Sequence, residues 1–171
     1  FIKTADKINM KSVGTLALLC YDLCQRPGDM RHLTWGSFSN GCIKFRQEKT
    51  DTLVEIPASP RLAKRLTRLK PKDVSPESPI VICEATGKPF DRRLYSKWAA
   101  KARLAAGLPP DLQIRDFRRT GATEMAESGC TEDELRSVTG HQSRDVLSIY
   151  VRPPIKLAAA GVNKRFQERN A

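Results

Sequence analysis

Asn40-Gly41 is the residue pair that most restricts how this chain can fold. Two adjacent residues that tolerate positive φ favour a type I′ turn, whose twist suits a tight β-hairpin. Short apolar stretches flank the pair near residues 35–38 and 42–47. A third follows near 53–57, after a turn at Lys49-Thr50-Asp51-Thr52. This pattern predicts a small three-stranded antiparallel sheet.

The rest reads as helices cut by breakers. Val13, Leu16, Ala17, Cys20, Leu23 and Cys24 make one stripe of a helix over 11–24. Gln25-Arg26-Pro27-Gly28 interrupts it, and Pro27 suits the first position of a short helix through Leu33. Ser59-Pro60 opens a basic helix to about Lys70, a Pro- and Ser-rich loop fills 71–79, and Ile80 to Cys83 reads as a short strand. After a Gly87-Lys88-Pro89 turn, a helix over 91–106 is closed by Gly107 and Pro109-Pro110. Another runs from Arg115 to Ser128, and Thr131 with Glu134 caps a helix to Val138. Beyond the Thr139-Gly140-His141 turn, Ser143 starts a helix that ends near Tyr150. Pro153-Pro154 then precedes an amphipathic segment over 155–168. The predicted fold class is mainly α with a small three-stranded antiparallel β-sheet, in one domain with a tail at 153–171.

Charge narrows the function. The 171 residues carry a net charge of +11, which biases the chain towards polyanions, nucleic acid first. Residues 61–103 alone hold 12 basic and 4 acidic side chains, so the excess is a localised face. A hydrophobic content of 40% excludes wholesale disorder. The longest apolar run, Leu16 to Cys20, is far short of the roughly 20 residues that span a bilayer, and no membrane partner is expected. Five cysteines without regular spacing and two histidines, His32 and His141, do not make a zinc set. Buried reduced thiols are expected instead.

Four polar features sit at element ends: Gln25-Arg26-Pro27-Gly28-Asp29, the hairpin lysine Lys49, Arg115-x-x-Arg118, and Gly140-His141 with Tyr150 nine residues on. Taken singly, each has an ordinary explanation as a solvated arginine, an exposed turn lysine, a charged helix face or a half-buried aromatic. Their order is more specific. QRPGDMRHLTW, a lysine in the next hairpin, RDFRRTGAT, and TGHQS followed by a tyrosine together resemble the catalytic domain of tyrosine recombinases, in particular phage-type integrases. The resemblance runs from about residue 10 to 152.

That resemblance implies a DNA breaking-rejoining fold and a reaction. Tyr150 would attack a phosphodiester to give a 3′-phosphotyrosyl bond, Arg26 and Arg118 would clamp the phosphate, and Lys49 would protonate the departing 5′-oxygen. His141 would hydrogen-bond the phosphate and Asp29 would orient Arg26. Guanidinium forks suit such a transition state, and no metal or other cofactor is required. Arg115 stands where the family usually has His; arginine stays protonated and cannot be a general base, so a proton shuttle there is in doubt.

Double-stranded DNA is the expected partner. Lys64, Arg65 and Arg68 on one helix, and Arg92, Arg93, Lys97 and Lys101 on another, are expected to contact phosphates. Leu94, Trp98, Ala102 and Ala105 are expected on the inner face of that second helix. The chain begins at Phe1 and is expected to be a fragment lacking an N-terminal core-binding domain, monomeric alone and tetrameric on DNA at full length. A phage or other mobile element is the expected context, in the cytoplasm of a bacterial cell at its nucleoid. Three alternatives stay open: a weakened recombinase marked by Arg115, a type IB topoisomerase, and a helix-turn-helix module within 115–150. The last would place Glu132, Asp133 and Glu134 at the start of its recognition helix, where they would repel phosphate.

Overall fold

The computed structural model describes residues 1–141, 159, 162–163 and 165–167. Seven helices and one sheet make up residues 1–141: α1 (Ile2–Lys7), α2 (Lys11–Asp22), α3 (Pro27–Arg31), β1 (Phe38–Ser39), β2 (Cys42–Arg46), β3 (Leu53–Pro57), α4 (Pro60–Leu69), α5 (Arg92–Ala105), α6 (Ile114–Glu127) and α7 (Glu132–Thr139). The sheet is antiparallel in the order β1-β2-β3. Asn40 and Gly41 both have positive φ, 50° and 74°, as a type I′ turn demands.

Helix α2 is the centre of the molecule. Nine consecutive residues, Ser12 to Cys20, are buried, because α1, α3, α4, α5 and α6 all pack on it. Its closest neighbour is α6. A Cβ on Gly121 would stand 2.2 Å from the Tyr21 carbonyl oxygen, so only glycine permits this crossing. Arg118 lies on the same face one turn earlier, and the tight crossing carries it inward, leaving it 6% exposed.

Local signals account for most boundaries. Ser59 Oγ accepts the Leu62 N–H at the start of α4, and Asp91 accepts the Leu94 N–H at the start of α5. Thr131 and Glu134 exchange reciprocal bonds at the start of α7, and Gly140 ends that helix at φ 70°. Helix α2 stops without glycine: Cys24 takes φ 51°, a left-handed conformation that turns the chain back and delivers Arg26 to the start of α3.

Three expectations need correction. The stretch near 35–38 is mostly a 3-10 turn, Trp35–Ser37, because its backbone bonds to the 76–78 loop instead of extending the sheet. Ile80 to Cys83 is not a strand; only single bridges, Thr34 to Pro79 and Ile82 to Pro89, form there. Ala105 is exposed, and Ala99 with Ala102 takes the inner face of α5. The predicted 143–150 helix and Tyr150 lie outside the described residues, as does most of the 155–168 segment. Its described members, Ala159, Val162, Asn163 and residues 165–167, are helical and exposed. Among the described residues, no helix is long and apolar enough to cross a membrane.

Candidate active site

Arg118 and His141 form the buried side of the site. Arg118 Nη2 donates to the Thr139 carbonyl at 3.2 Å and contacts His141 Nε2 at 2.9 Å. The Thr139 hydroxyl donates to the Leu135 carbonyl at 2.6 Å, so it can only accept from His141 Nδ1, 2.8 Å away. The imidazole is therefore protonated on Nδ1 and presents its Nε2 lone pair to the guanidinium. Burial first, then the nearby charges of Arg118 and Arg26, lower the His141 pKa from 6.5 to about 4. His141 is thus neutral at pH 7. Arg118 Nη1 is buried and has no hydrogen-bond partner among the described residues. A buried cation with a donor pointing at nothing is costly unless an anion supplies the missing acceptor.

Arg26, Asp29 and Lys49 form the open side. They line one cleft of about 600 Å³ together with Gly28, Arg31, Glu48, Arg92 and Tyr95. Asp29 is 7% exposed and serves two elements. Its Oδ1 accepts the Glu48 N–H at 3.0 Å, which ties the β2–β3 hairpin to α3, and its Oδ2 lies 4.0 Å from Arg26 Nη1. Lys49 sits exposed at the hairpin tip. Arg26 reaches the buried side electrostatically, since it helps to depress the His141 pKa.

Arg115 is placed differently. It is exposed in the first turn of α6 and lines a neighbouring cleft of about 320 Å³ with Arg92 and Arg103, not the Arg26–Lys49 cleft. Arg92 borders both clefts.

The basic face is not uniform. Lys64, Arg68, Arg92, Arg93, Lys97 and Lys101 are exposed. Arg65 is the exception, and the expectation that it meets DNA is corrected. It is 7% exposed and grips Asp6 through Nη1 (2.8 Å) and Nη2 (2.6 Å), while Nε donates to Thr15 Oγ1 at 2.9 Å. Its Nη2 also donates to the Lys11 carbonyl at 2.8 Å, so the side chain is consumed inside the domain.

Sequence reasoning missed Gln25, Gln47, Thr139 and Arg31. Arg31 lines the open cleft and donates from Nη1 to the Phe90 carbonyl at 2.9 Å. Gln25 adjoins Arg26 and Gln47 lies two residues before Lys49, and that nearness in the chain was the available signal.

Residues 1–155 match the phage integrase family, and the chain belongs to it, a family of tyrosine site-specific recombinases that act in DNA recombination and integration. No curated protein matches by sequence. The fold is similar to that of a lambda integrase dimer bound to a COC′ core site, with 20% identity and TM-score 0.69 over 87% of this chain and 44% of that one. It is also similar to XerA recombinase, at 16% identity and TM-score 0.73 over 96% and 61% of the two chains. The Tn1549 transposon integrase in complex with transposon right end DNA matches at 15% identity and TM-score 0.69, over 88% and 58%. The chain therefore spans 44–61% of the length of these three structures.

Proposed function

We propose that this chain cleaves and rejoins double-stranded DNA through a 3′-phosphotyrosyl intermediate, as the catalytic domain of a site-specific recombinase that integrates or excises a mobile element. The observation that carries this reading is the buried Arg118 guanidinium, with Nη1 unpartnered among the described residues, beside a neutral histidine. Among the described residues it has no carboxylate within ion-pair distance. A phosphate oxygen is the acceptor that this arrangement lacks.

In the proposed reaction the Tyr150 oxygen attacks phosphorus, and the bond to the 5′-oxygen breaks. The phenolic proton leaves to solvent or a site base, while Lys49 supplies a proton to the departing oxygen. Arg26 and Arg118 hold the non-bridging oxygens, and Asp29 keeps Arg26 and the Lys49 hairpin in register. An arriving phosphate draws Arg118 away from His141 Nε2, and its negative charge favours a protonated imidazole that can donate in turn. Arg115 retains only a cation's role. The exposed Lys64, Arg68, Arg92, Arg93, Lys97 and Lys101 hold the duplex by its phosphates, and assembly to a tetramer takes place on DNA. Such a protein works where the chromosome is, at the nucleoid of a bacterial cell.

Trapping on nicked duplexes with randomised cores tests the reading, because the short strand released by cleavage diffuses away and religation is lost. Wild type gives a denaturation-resistant protein–DNA adduct, and Tyr150→Phe gives none. An adduct that persists in Tyr150→Phe overturns the assignment. Adduct formation by Arg115→His alone would show that Arg115 has weakened the enzyme.

A further inference from the structure

Two amides outside the chemistry described so far lie at the centre of the site. Gln25 and Gln47 are both 0% exposed, although glutamine is mostly a surface residue. Gln25 Nε2 donates to the Leu23 carbonyl at 3.0 Å and to the Val138 carbonyl at 2.5 Å. Its Oε1 accepts from Gln47 Nε2 at 2.6 Å. Gln47 Nε2 also donates to the Thr139 carbonyl at 2.9 Å, and Gln47 Oε1 accepts from Thr50 Oγ1 at 2.6 Å. Each nitrogen faces two carbonyl-type oxygens, so turning either amide over would set oxygen against oxygen.

These bonds join the segments that carry the site. Gln25 immediately precedes Arg26, and Gln47 and Thr50 bracket Lys49 in the β2–β3 hairpin. The Thr139 carbonyl that receives Gln47 also receives Arg118, and Thr139 Oγ1 holds His141. A Cβ on Gly140 would lie 2.5 Å from the Gln47 amide, so the glycine of this turn also makes room for Gln47.

We infer that Gln47, braced by Gln25, is a positioning residue that pins the Lys49 hairpin to the Thr139–His141 turn and so fixes the proton donor relative to the phosphate clamp. This rests on the reading of Lys49 as the donor to the leaving oxygen. Losing Gln47 should then impair protonation of that oxygen far more than phosphate binding. Leaving-group chemistry separates the two. A 5′-thiol with pKa near that of cysteine, about 8.5, departs without a proton, whereas a 5′-alkoxide does not.

The experiment compares single-turnover cleavage of duplexes that wild type selects from the randomised pool, carrying either oxygen or sulfur at the bridging 5′ position. Gln47→Met keeps the length and removes the amide. Its oxygen-substrate rate should fall by roughly 10–100-fold, within the range of a general-acid contribution, and its sulfur-substrate rate by no more than about 3-fold. Thr50→Val, at a half-buried position, should show the same selectivity with a smaller loss, and it decides the matter if Gln47→Met does not fold. Equal losses on both substrates, or no loss on either, overturn the inference. Lys49→Ala should be restored by sulfur; if it is not, the reading of Lys49 fails and the inference with it. A wild type and an Arg115→His variant that both cleave neither substrate overturn the functional reading itself.

Discussion

Among the described residues two arginines are buried, Arg65 and Arg118, at 7% and 6% exposure. They reach opposite ends. Arg65 meets the Asp6 carboxylate with both terminal nitrogens and adds Thr15 and the Lys11 carbonyl. Its charge is neutralised, and the ion pair locks α1 and α2 to α4. Gly14 is shaped around it, since a Cβ there would stand 3.0 Å from Arg65 Nη2. Among the described residues Arg118 meets only a carbonyl and a neutral imidazole, and its Nη1 has no partner. A buried cation with its own carboxylate is architecture. One without, on the proposed reading, receives an anion that comes from outside.

Arg118→Ala should lower adduct formation by about 10²–10³-fold, the usual effect of removing one transition-state donor, while changing unfolding free energy by only about 1 kcal/mol. A large loss of stability in urea melts, with cleavage intact, would make Arg118 a second Arg65.

His141 gives the next effect. The folded protein holds it neutral down to about pH 4, whereas the unfolded chain takes up a proton near 6.5. Stability is therefore lost as pH falls through that window, by about 3 kcal/mol at its lower end. Urea melts at several pH values should show this slope in wild type and a shallower one in His141→Gln.

Arg65→Met should cost about 2–3 kcal/mol of stability, less than a fully buried pair because Asp6 is 30% exposed. Its DNA affinity at a temperature where it stays folded should match wild type. Smallest is the surface set. Lys64→Ala and Arg68→Ala should each shift stability by less than about 0.5 kcal/mol and reduce the slope of log affinity against log salt by about one.

The two arginines also show what the sequence could reveal. Arg118 stood in a motif with fixed neighbours, so its position was legible. Arg65 looked like any basic residue of α4, because its carboxylate partner lies 59 residues away. The same holds elsewhere. Ser59, Thr131 with Glu134, and Asn40-Gly41 act on residues within a turn of themselves: α4 and α7 start where expected and the Asn40-Gly41 turn forms, although the first strand it joins is only Phe38–Ser39. Ile80 to Cys83 has strand composition, but its strand character depended on a partner, and its neighbours offer only isolated bridges. Gln25 and Gln47 are bonded to each other across 22 residues and to α7 across more than 90, which no local pattern encodes.

On the proposed reading Arg118 and His141 form an anion seat, and with only two histidines in the chain the imidazole NMR spectrum tests it directly. In the free protein His141 should be the neutral, Nδ1-protonated tautomer, titrating at about 4. Inorganic phosphate or vanadate should then raise that pKa by about one unit or more, as expected for a negative charge within about 4–6 Å, and Arg118→Ala should remove the response. A His141 that already titrates near 6.5, or one unmoved by either anion, would contradict the account.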